Sequence, residues 1–448
     1  MDKKHSVTLD VSKCRGCTTC LHNCPTMAIR VRNGKAVILS DKCIDCGECI
    51  RVCPHNAKIA ITDKLDAIQQ YKVKVAIVPP TFMGQMDMKY SPGQILSAVK
   101  TVGFDYVYEV SYGAEVVGKA LKYEMEKNPG KRFISSACPT IIKLIQEKFP
   151  LLVENIVTFK APVHVTAEGV RKALHKKGYI DEEIGIFFIT PCAAKATEIF
   201  NEPEGESKIN GAISVNDIYF HIKKNKIMKS EYVESINSAS GLRWAVSGGE
   251  AAFLDSRYTL HVNGISNVTK VLEEIERGKL KSVRYLELLA CVEGCVGGCL
   301  TVENPFVAKQ RILQKVNLMK EENPKGAVTE TRVEKLYLNG DLTRKVPIEP
   351  AKVKPIHPDR VVAIQKMNQI EELYERLPGF DCGSCGAPGC HAMAEDIAMG
   401  YASEMDCIFM LKDAITKLSK DMLSISQKVM PIMSNDGENK EEEGDTKE

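Results

Sequence analysis

Several features this chain lacks narrow its function. Lys and Arg number 60 against 58 Asp and Glu, so the formal net charge is only +2. No surplus of either sign points to nucleic acid or a membrane surface as partner. No apolar run approaches the ~18 residues of a spanning helix, and the opening MDKKHSVTLD has no hydrophobic stretch of the secretory kind. No membrane contact and a cytoplasmic location are therefore expected. Neither a G-x4-G-K-S/T loop nor a G-x-G-x2-G fingerprint occurs, which argues against direct nucleotide binding and for a protein as electron partner.

What the chain does have is cysteine, seventeen among 448 residues. In a reducing compartment thiols stay reduced unless they bind metal or do chemistry, so metal is the first reading. Eight cysteines lie between Cys14 and Cys53, five between Cys138 and Cys299, and four between Cys382 and Cys407. A chain of this length exceeds what one core usually organises, and the cysteine groups supply its domain map. Residues 1–64 are cysteine-dense and poor in apolar material, so metal must hold them together. From Val73 onward the stretches VKVAIVPP, GQILSAVKTVG, FDYVYEV and AEVVGKALKYEMEK alternate strand-like and helix-like patterns, which predicts an α/β domain over 65–348. EIGIFFITP and SVRYLELLA are further buried-strand candidates, each running straight into a cysteine.

A linker and helix are expected over 349–371, a small cysteine domain over 372–410 and a heptad helix over 411–433. In that helix Leu411, Ile415, Leu418, Met422, Ile425 and Val429 alternate spacings of four and three. Such a stripe either forms a coiled-coil seam, making a homodimer possible, or packs on the protein's own body. The remaining tail, 434–448, is acidic and lacks anchoring apolar residues, so it is expected to be disordered.

Cys14, Cys17, Cys20 and Cys24 with Pro25 spell C-x2-C-x2-C-x3-C-P, and Cys43, Cys46, Cys49 and Cys53 with Pro54 repeat it. This resembles bacterial two-cluster ferredoxins, in which the fourth cysteine of each run ligates the other cluster. The resemblance implies one 4Fe–4S cluster on Cys14, Cys17, Cys20 and Cys53, and a second on Cys43, Cys46, Cys49 and Cys24. Paired zinc knuckles, the rival, give no reason for the third cysteine or the C-P step.

Three separated motifs follow: Ser135-Ser136-Ala137-Cys138-Pro139, Thr190-Pro191-Cys192-Ala193-Ala194-Lys195 with Glu198, and Glu287-Leu288-Leu289-Ala290-Cys291 leading to Gly294-Cys295 and Gly297-Gly298. Each ends a predicted strand, and open α/β sheets build their sites at that edge. Singly, each could be a structural thiol. Together, from about Val73 to Arg311 and including Pro79-Pro80 and Ser247-Gly248-Gly249, they resemble the FeFe-hydrogenase catalytic domain and its T-S-C-C-P, P-C-x2-K-x2-E and E-x-M-x-C-x3-C signatures. The resemblance implies an H-cluster: a 4Fe–4S cubane on Cys138, Cys192, Cys291 and Cys295, with Cys295 bridging to a two-iron unit that carries carbonyl, cyanide and dithiolate ligands. Pro79 would lie beside it. Lys195 would donate a charge-assisted hydrogen bond to a cyanide; otherwise it is a surface lysine. Glu198 fits a supporting or proton-relay carboxylate, or else a solvated helix charge.

The pattern is broken at informative places. Ala137 stands where turnover enzymes of the family have a proton-relaying cysteine, and general acid–base groups contribute ~100- to 10,000-fold. Thr190 and Leu289 replace expected methionines. Ala120 and Leu121 stand where an acidic pair is expected, with Glu124 remaining. Such changes resemble the sensory branch of the family, here without a PAS domain. Cys299 is the odd thiol, a substitute proton relay, a redox switch or an inert buried group. Cys382, Cys385, Cys390 and Cys407, with Asp381 and Gly383, Gly386 and Gly389, resemble the small 4Fe–4S domain of corrinoid iron–sulfur proteins and Rnf-type complexes, with zinc as rival.

The expected architecture is thus an α/β catalytic domain of FeFe-hydrogenase large-subunit type, an N-terminal two-cluster ferredoxin-like α+β domain and a small C-terminal 4Fe–4S domain. Three 4Fe–4S clusters outside the active site accompany the H-cluster. The implied activity is slow interconversion of dihydrogen with protons and electrons, used for sensing, with ferredoxin or another redox or signalling protein as partner. The alternatives are a ferredoxin-linked metabolic hydrogenase with a different proton route, or a non-catalytic iron–sulfur carrier or assembly protein related to nuclear prelamin A recognition factor.

Overall fold

A computed structural model describes residues 5–201, 208–226, 233–235, 238–321, 328–352 and 355–427. Val429 of the heptad stripe and the acidic tail lie outside them. The chain divides into two units, 1–354 and 355–448. No helix among the described residues is long and apolar enough to cross a membrane.

In the first unit, the cysteine-dense segment has two small antiparallel ribbons. Val7–Leu9 pairs with Lys58–Ala60, and Ile29–Arg32 pairs with Lys35–Ile38. Asn33 and Gly34 join the second ribbon with φ of 50° and 69°, the left-handed pair that a two-residue hairpin turn demands. Two single-turn helices, Thr19–His22 and Glu48–Arg51, carry Cys20 and Cys49 inward.

The apolar runs after Val73 become two parallel sheets. The larger orders Tyr106–Glu109, Val73–Val78, Ile184–Thr190 and Gly211–Ser214 side by side, all parallel. Its central strands bury both faces, as parallel sheets require. Val75, Ile77, Ile186 and Phe188 enter one core, while Ala76, Val78, Phe187 and Ile189 enter the other. The smaller sheet orders Thr259–Asn263, Tyr285–Leu289 and Phe133–Ile134. In the strand Tyr285–Leu289, Leu286 and Leu288 point into the core formed with Ile134 and Ile141. The period of two then sends Tyr285 and Glu287 together to the opposite face. Both residues are buried. The strands Gly211–Ser214 and Thr259–Asn263 are additions to the predicted set.

The second unit is helical. Asp359 caps Arg360–Arg376 by accepting from the Val361 and Val362 amides, and Ile370, Leu373, Met393 and Ala394 form the core with Cys407. The final helix, Ile408–Gln427, begins directly after Cys407 and therefore earlier than the heptad pattern alone indicated. None of its residues is buried. Leu411, Ile415, Leu418, Met422 and Ile425 are all exposed and contribute nothing to that unit's core.

Candidate functional site

The eight N-terminal thiols line two separate cavities. Cys14, Cys17, Cys20 and Cys53 face one; Cys24, Cys43, Cys46 and Cys49 face the other. Backbone amides point at the sulfurs: Ala28 N donates to Cys24 Sγ at 3.2 Å, Ala57 N to Cys53 Sγ at 3.3 Å and Ala36 N to Cys14 Sγ at 3.4 Å. Amides aimed at sulfur favour the thiolate over the thiol. Burial pushes Cys43 up to about 12, so protons leave such thiols only when a cationic core takes their place. This donor set fits iron–sulfur cores.

The central site forms at the carboxyl ends of the parallel strands. Val73–Val78 delivers Pro79 and Pro80, Ile184–Thr190 delivers Cys192, Phe133–Ile134 delivers Cys138, and Tyr285–Leu289 delivers Cys291 and Cys295. All of them, with Lys195, line one cavity. Its remaining wall is apolar, from Val110, Phe188, Trp244 and Leu289 among others. Ala137 also lines it. Close approach of backbone shapes the rim: a Cβ on Gly298 would lie 2.2 Å from Pro191 O, and one on Gly297 2.2 Å from Val292 O. Burial first, then the neighbouring Cys291, Cys299 and Cys138 sulfurs, raise the Cys192 thiol well above its ordinary value. Four mutually opposed thiols in an apolar cavity beside an ammonium fit a cubane with an anionic metal unit attached. Thr190 faces away from this role. Its hydroxyl donates to Cys192 O at 2.9 Å and accepts from Cys192 N at 3.1 Å, fixing the loop.

Lys195 and Glu198 form a 2.5 Å ion pair. Burial works to raise the Glu198 carboxyl, but Lys195, His164 and Arg344 outweigh it and hold the group well below the ordinary carboxylate range. His164 Nε2 is 3.5 Å and Arg344 Nη1 3.7 Å from it. A carboxylate clamped by three basic groups anchors Lys195 better than it relays protons. Glu124 sits elsewhere, accepting from the Tyr337 hydroxyl at 3.0 Å.

Cys299 is not among the residues lining this cavity. It packs against the core of the N-terminal segment, where a Cβ on Gly47 would fall 2.4 Å from its Sγ. Burial pushes its thiol up to about 11, with Arg51 pulling the other way. The Arg51 guanidinium joins the two regions: it donates to Cys46 O at 3.3 Å and Gly297 O at 3.3 Å, and lies 3.7 Å from Cys291 Sγ.

Beneath Ala137 lies a buried polar chain that sequence reasoning did not single out. Ala137 N donates to Ser135 Oγ at 3.2 Å, Ser135 Oγ donates to Glu250 Oε2 at 2.6 Å, and Tyr285 OH donates to Glu250 Oε1 at 2.7 Å. Glu287 accepts from Gly248 N at 2.8 Å and Ala251 N at 2.7 Å. Burial drives both carboxyls well above their ordinary range, and for Glu287 the neighbouring Glu250 adds to it. The available signal was a glutamate inside the apolar run YLELLA, where a lone charge is costly.

In the second unit, Cys382, Cys385, Cys390 and Cys407 line one cavity, and Asp381 Oδ1 accepts from Cys390 N at 2.6 Å to close the loop.

The raised Glu250 and Glu287 make stability depend on pH. Folded, both keep protons that an unfolded chain loses near pH ~4.3. Their contribution is present in full below that value and is lost as pH rises through their higher folded values. Thermal midpoints should therefore fall less between about pH 5 and 8 in Glu250→Gln than in the parent chain. Parallel pH curves would mean that the Glu250 carboxyl is not raised.

The family model for the iron only hydrogenase large subunit, C-terminal domain, matches residues 72–259 and 255–299, together just over half of the chain. A 4Fe-4S dicluster domain model matches residues 6–54 and an Fe-S cluster model residues 377–409. Iron hydrogenase 1 of Clostridium pasteurianum is 24% identical over 373 residues, covering 66% of this chain and 65% of that protein. This chain therefore spans less than two thirds of that relative's length. The periplasmic iron hydrogenase large subunit of Nitratidesulfovibrio vulgaris is 24% identical over 365 residues, 66% of this chain and 86% of that one. A component of the ion-translocating oxidoreductase complex of Rhodobacter capsulatus is 47% identical over 38 residues, 8% of this chain and 20% of that one. Among solved structures, a variant of the Chlamydomonas reinhardtii FeFe-hydrogenase aligns at 17% identity and a TM-score of 0.49, over 64% of this chain and 98% of that one. By the extent of the family match, the chain belongs to the family of the iron-only hydrogenase large subunit.

Proposed function

We propose that this chain interconverts dihydrogen with protons and electrons at an H-cluster, slowly, and that it reports dihydrogen to a redox or signalling partner. The observation that carries the reading is the single cavity shared by Cys138, Cys192, Cys291, Cys295 and Lys195, with alanine at the place of the usual relay thiol. When bound, an H-cluster supplies the metal chemistry of heterolytic dihydrogen cleavage and formation.

The chain's own residues do the rest. Cys138, Cys192 and Cys291 would hold the cubane, and Cys295 would hold both it and the two-iron unit. Glu198 holds the Lys195 ammonium so that it can donate to an anionic cyanide rather than relax into solvent. The apolar wall keeps water out and strengthens that interaction. Protons have no thiol at position 137, so Ser135, Glu250, Tyr285 and Glu287 supply a slower route: raised carboxyls near the operating pH can both give and take a proton. Electrons leave through the thiol loops that Arg51 ties together, toward the N-terminal cores. The exposed stripe of Ile408–Gln427 pairs with a second copy of the chain, since an apolar seam of this length is otherwise left in water.

Infrared spectra of anaerobically matured protein should show carbonyl and cyanide bands that move under dihydrogen. Lys195→Asn should then retain the two-iron unit several-fold less well. Silence after verified maturation would point instead to a non-catalytic carrier. Turnover separates the sensor from a metabolic enzyme: Ala137→Cys should raise hydrogen evolution about tenfold or more, and Glu250→Gln should lower it ~100-fold. If neither variant changes the rate, protons travel elsewhere. Light scattering should find dimers in the parent chain and monomers in Leu418→Glu; dimers in both would remove the terminal helix as the interface.

A further inference from the structure

The two cysteine runs of the N-terminal segment are copies of one another, and they part company at a buried position. Cys24-Pro25-Thr26-Met27-Ala28-Ile29 and Cys53-Pro54-His55-Asn56-Ala57-Lys58 correspond residue for residue. The backbones follow suit. Met27 and Asn56 both take left-handed conformations, with φ of 52° and 48°. The following amides of Ala28 and Ala57 each donate to the cysteine sulfur of their own run. Ile29 is 2% exposed and belongs to the segment's apolar core. Lys58, its counterpart, is also 2% exposed.

A hydrocarbon in that position needs no explanation, but an ammonium does. Lys58 Nζ is buried and has no hydrogen-bond partner among the described residues. An unpaired buried charge is destabilising by several kcal/mol unless something of opposite sign lies against it. Lys58 lines the cavity of Cys14, Cys17, Cys20 and Cys53, with Arg15 and His55 as the other basic residues of that lining, and its charge reaches Cys49 of the sister set as well as Cys20. No carboxylate lines that cavity. The sister cavity is the reverse: it has Ile29 in the equivalent wall, and its ionisable lining besides cysteine is Asp45 and Glu48. Those two acids pair with cations of their own, Lys143 and Arg51, so their charges are already met.

We infer that Lys58 is the counter-ion of the iron–sulfur core held by Cys14, Cys17, Cys20 and Cys53, and that it raises the potential of this core above that of its sister. The inference rests on the reading that 4Fe–4S cores sit in both N-terminal cavities. Four thiolates on such a core leave a net negative charge that grows by one on reduction, so a fixed ammonium stabilises the reduced form more than the oxidised one. The transfer is of one electron: the sister core is oxidised from the 1+ to the 2+ level, this core is reduced from 2+ to 1+, and no proton moves. Electrons collected from the central site then settle on the core farther along the chain of centres, leaving the sister core free to accept the next.

The test uses the full chain, reconstituted anaerobically with iron and sulfide, and the variants Lys58→Met and Lys58→Arg. Iron and sulfide are counted first, and both N-terminal cores are then titrated by paramagnetic resonance at controlled potential. Lys58→Met should shift the one-electron equilibrium between the two cores at least tenfold toward the sister core, equivalent to 59 mV. Lys58→Arg should stay within that range of the parent. Loss of one core from the Met variant alone would also support the inference, because charge would then be needed to retain it. A Met variant with full iron content and unchanged potentials would overturn it. So would loss of the core from both variants, since the retained charge would not have sufficed. A parent chain without iron in this segment would instead remove the underlying cluster assignment.

Discussion

A thiol buried in protein keeps its proton, and this constraint governs the whole molecule. Taking a thiolate out of water is unfavourable, and placing four together compounds the effect through mutual repulsion. The buried cysteines of the first unit become consistent with one another only around a cationic core that replaces the protons. The cysteine-dense N-terminal segment has little hydrocarbon to hold it, and its core cluster includes Cys14, Cys20 and Cys49 themselves. In that segment, metal ligation and folding are one process.

Once each core with its four thiolates is taken as a net anion, the buried cations fall into order. Arg51 spans the Cys46 loop and the Cys291 loop. Lys195 stands in the central cavity with its ammonium tied to Glu198. Lys58 is sealed against the Cys14, Cys17, Cys20 and Cys53 cavity with no hydrogen-bond partner among the described residues. Each lies beside sulfur rather than in solvent, where a lysine or arginine would ordinarily place its head group.

The carboxylates divide by environment. Glu198 is surrounded by basic groups and held ionised. Glu250 and Glu287 are surrounded by a hydroxyl, a phenol, backbone amides and each other, and are pushed the opposite way. The same side chain is thus held charged in one place and protonated in another, the kind of division by which a site can separate acid–base duties. On the proposed function, this second pair compensates in part for the missing thiol at Ala137.

Spacing alone determined much of this protein. The C-x2-C-x2-C-x3-C-P repeats need no tertiary information because their thiols are neighbours along the chain. The runs VKVAIVPP, EIGIFFITP and SVRYLELLA declared buried strands of an α/β domain through their largely apolar character. Short strands such as Gly211–Ser214 escaped notice because four residues carry too little pattern. Only the fold decided that Ser135, Glu250, Tyr285 and Glu287 meet, since they come from different loops and strands and their association depends on sheet order and side-chain parity. Only the fold put Cys299 against the core of the N-terminal segment rather than in the cavity, although it is four residues from Cys295. And only burial distinguished Lys58 from the many lysines in water, because a sequence records which charge is present and not what surrounds it.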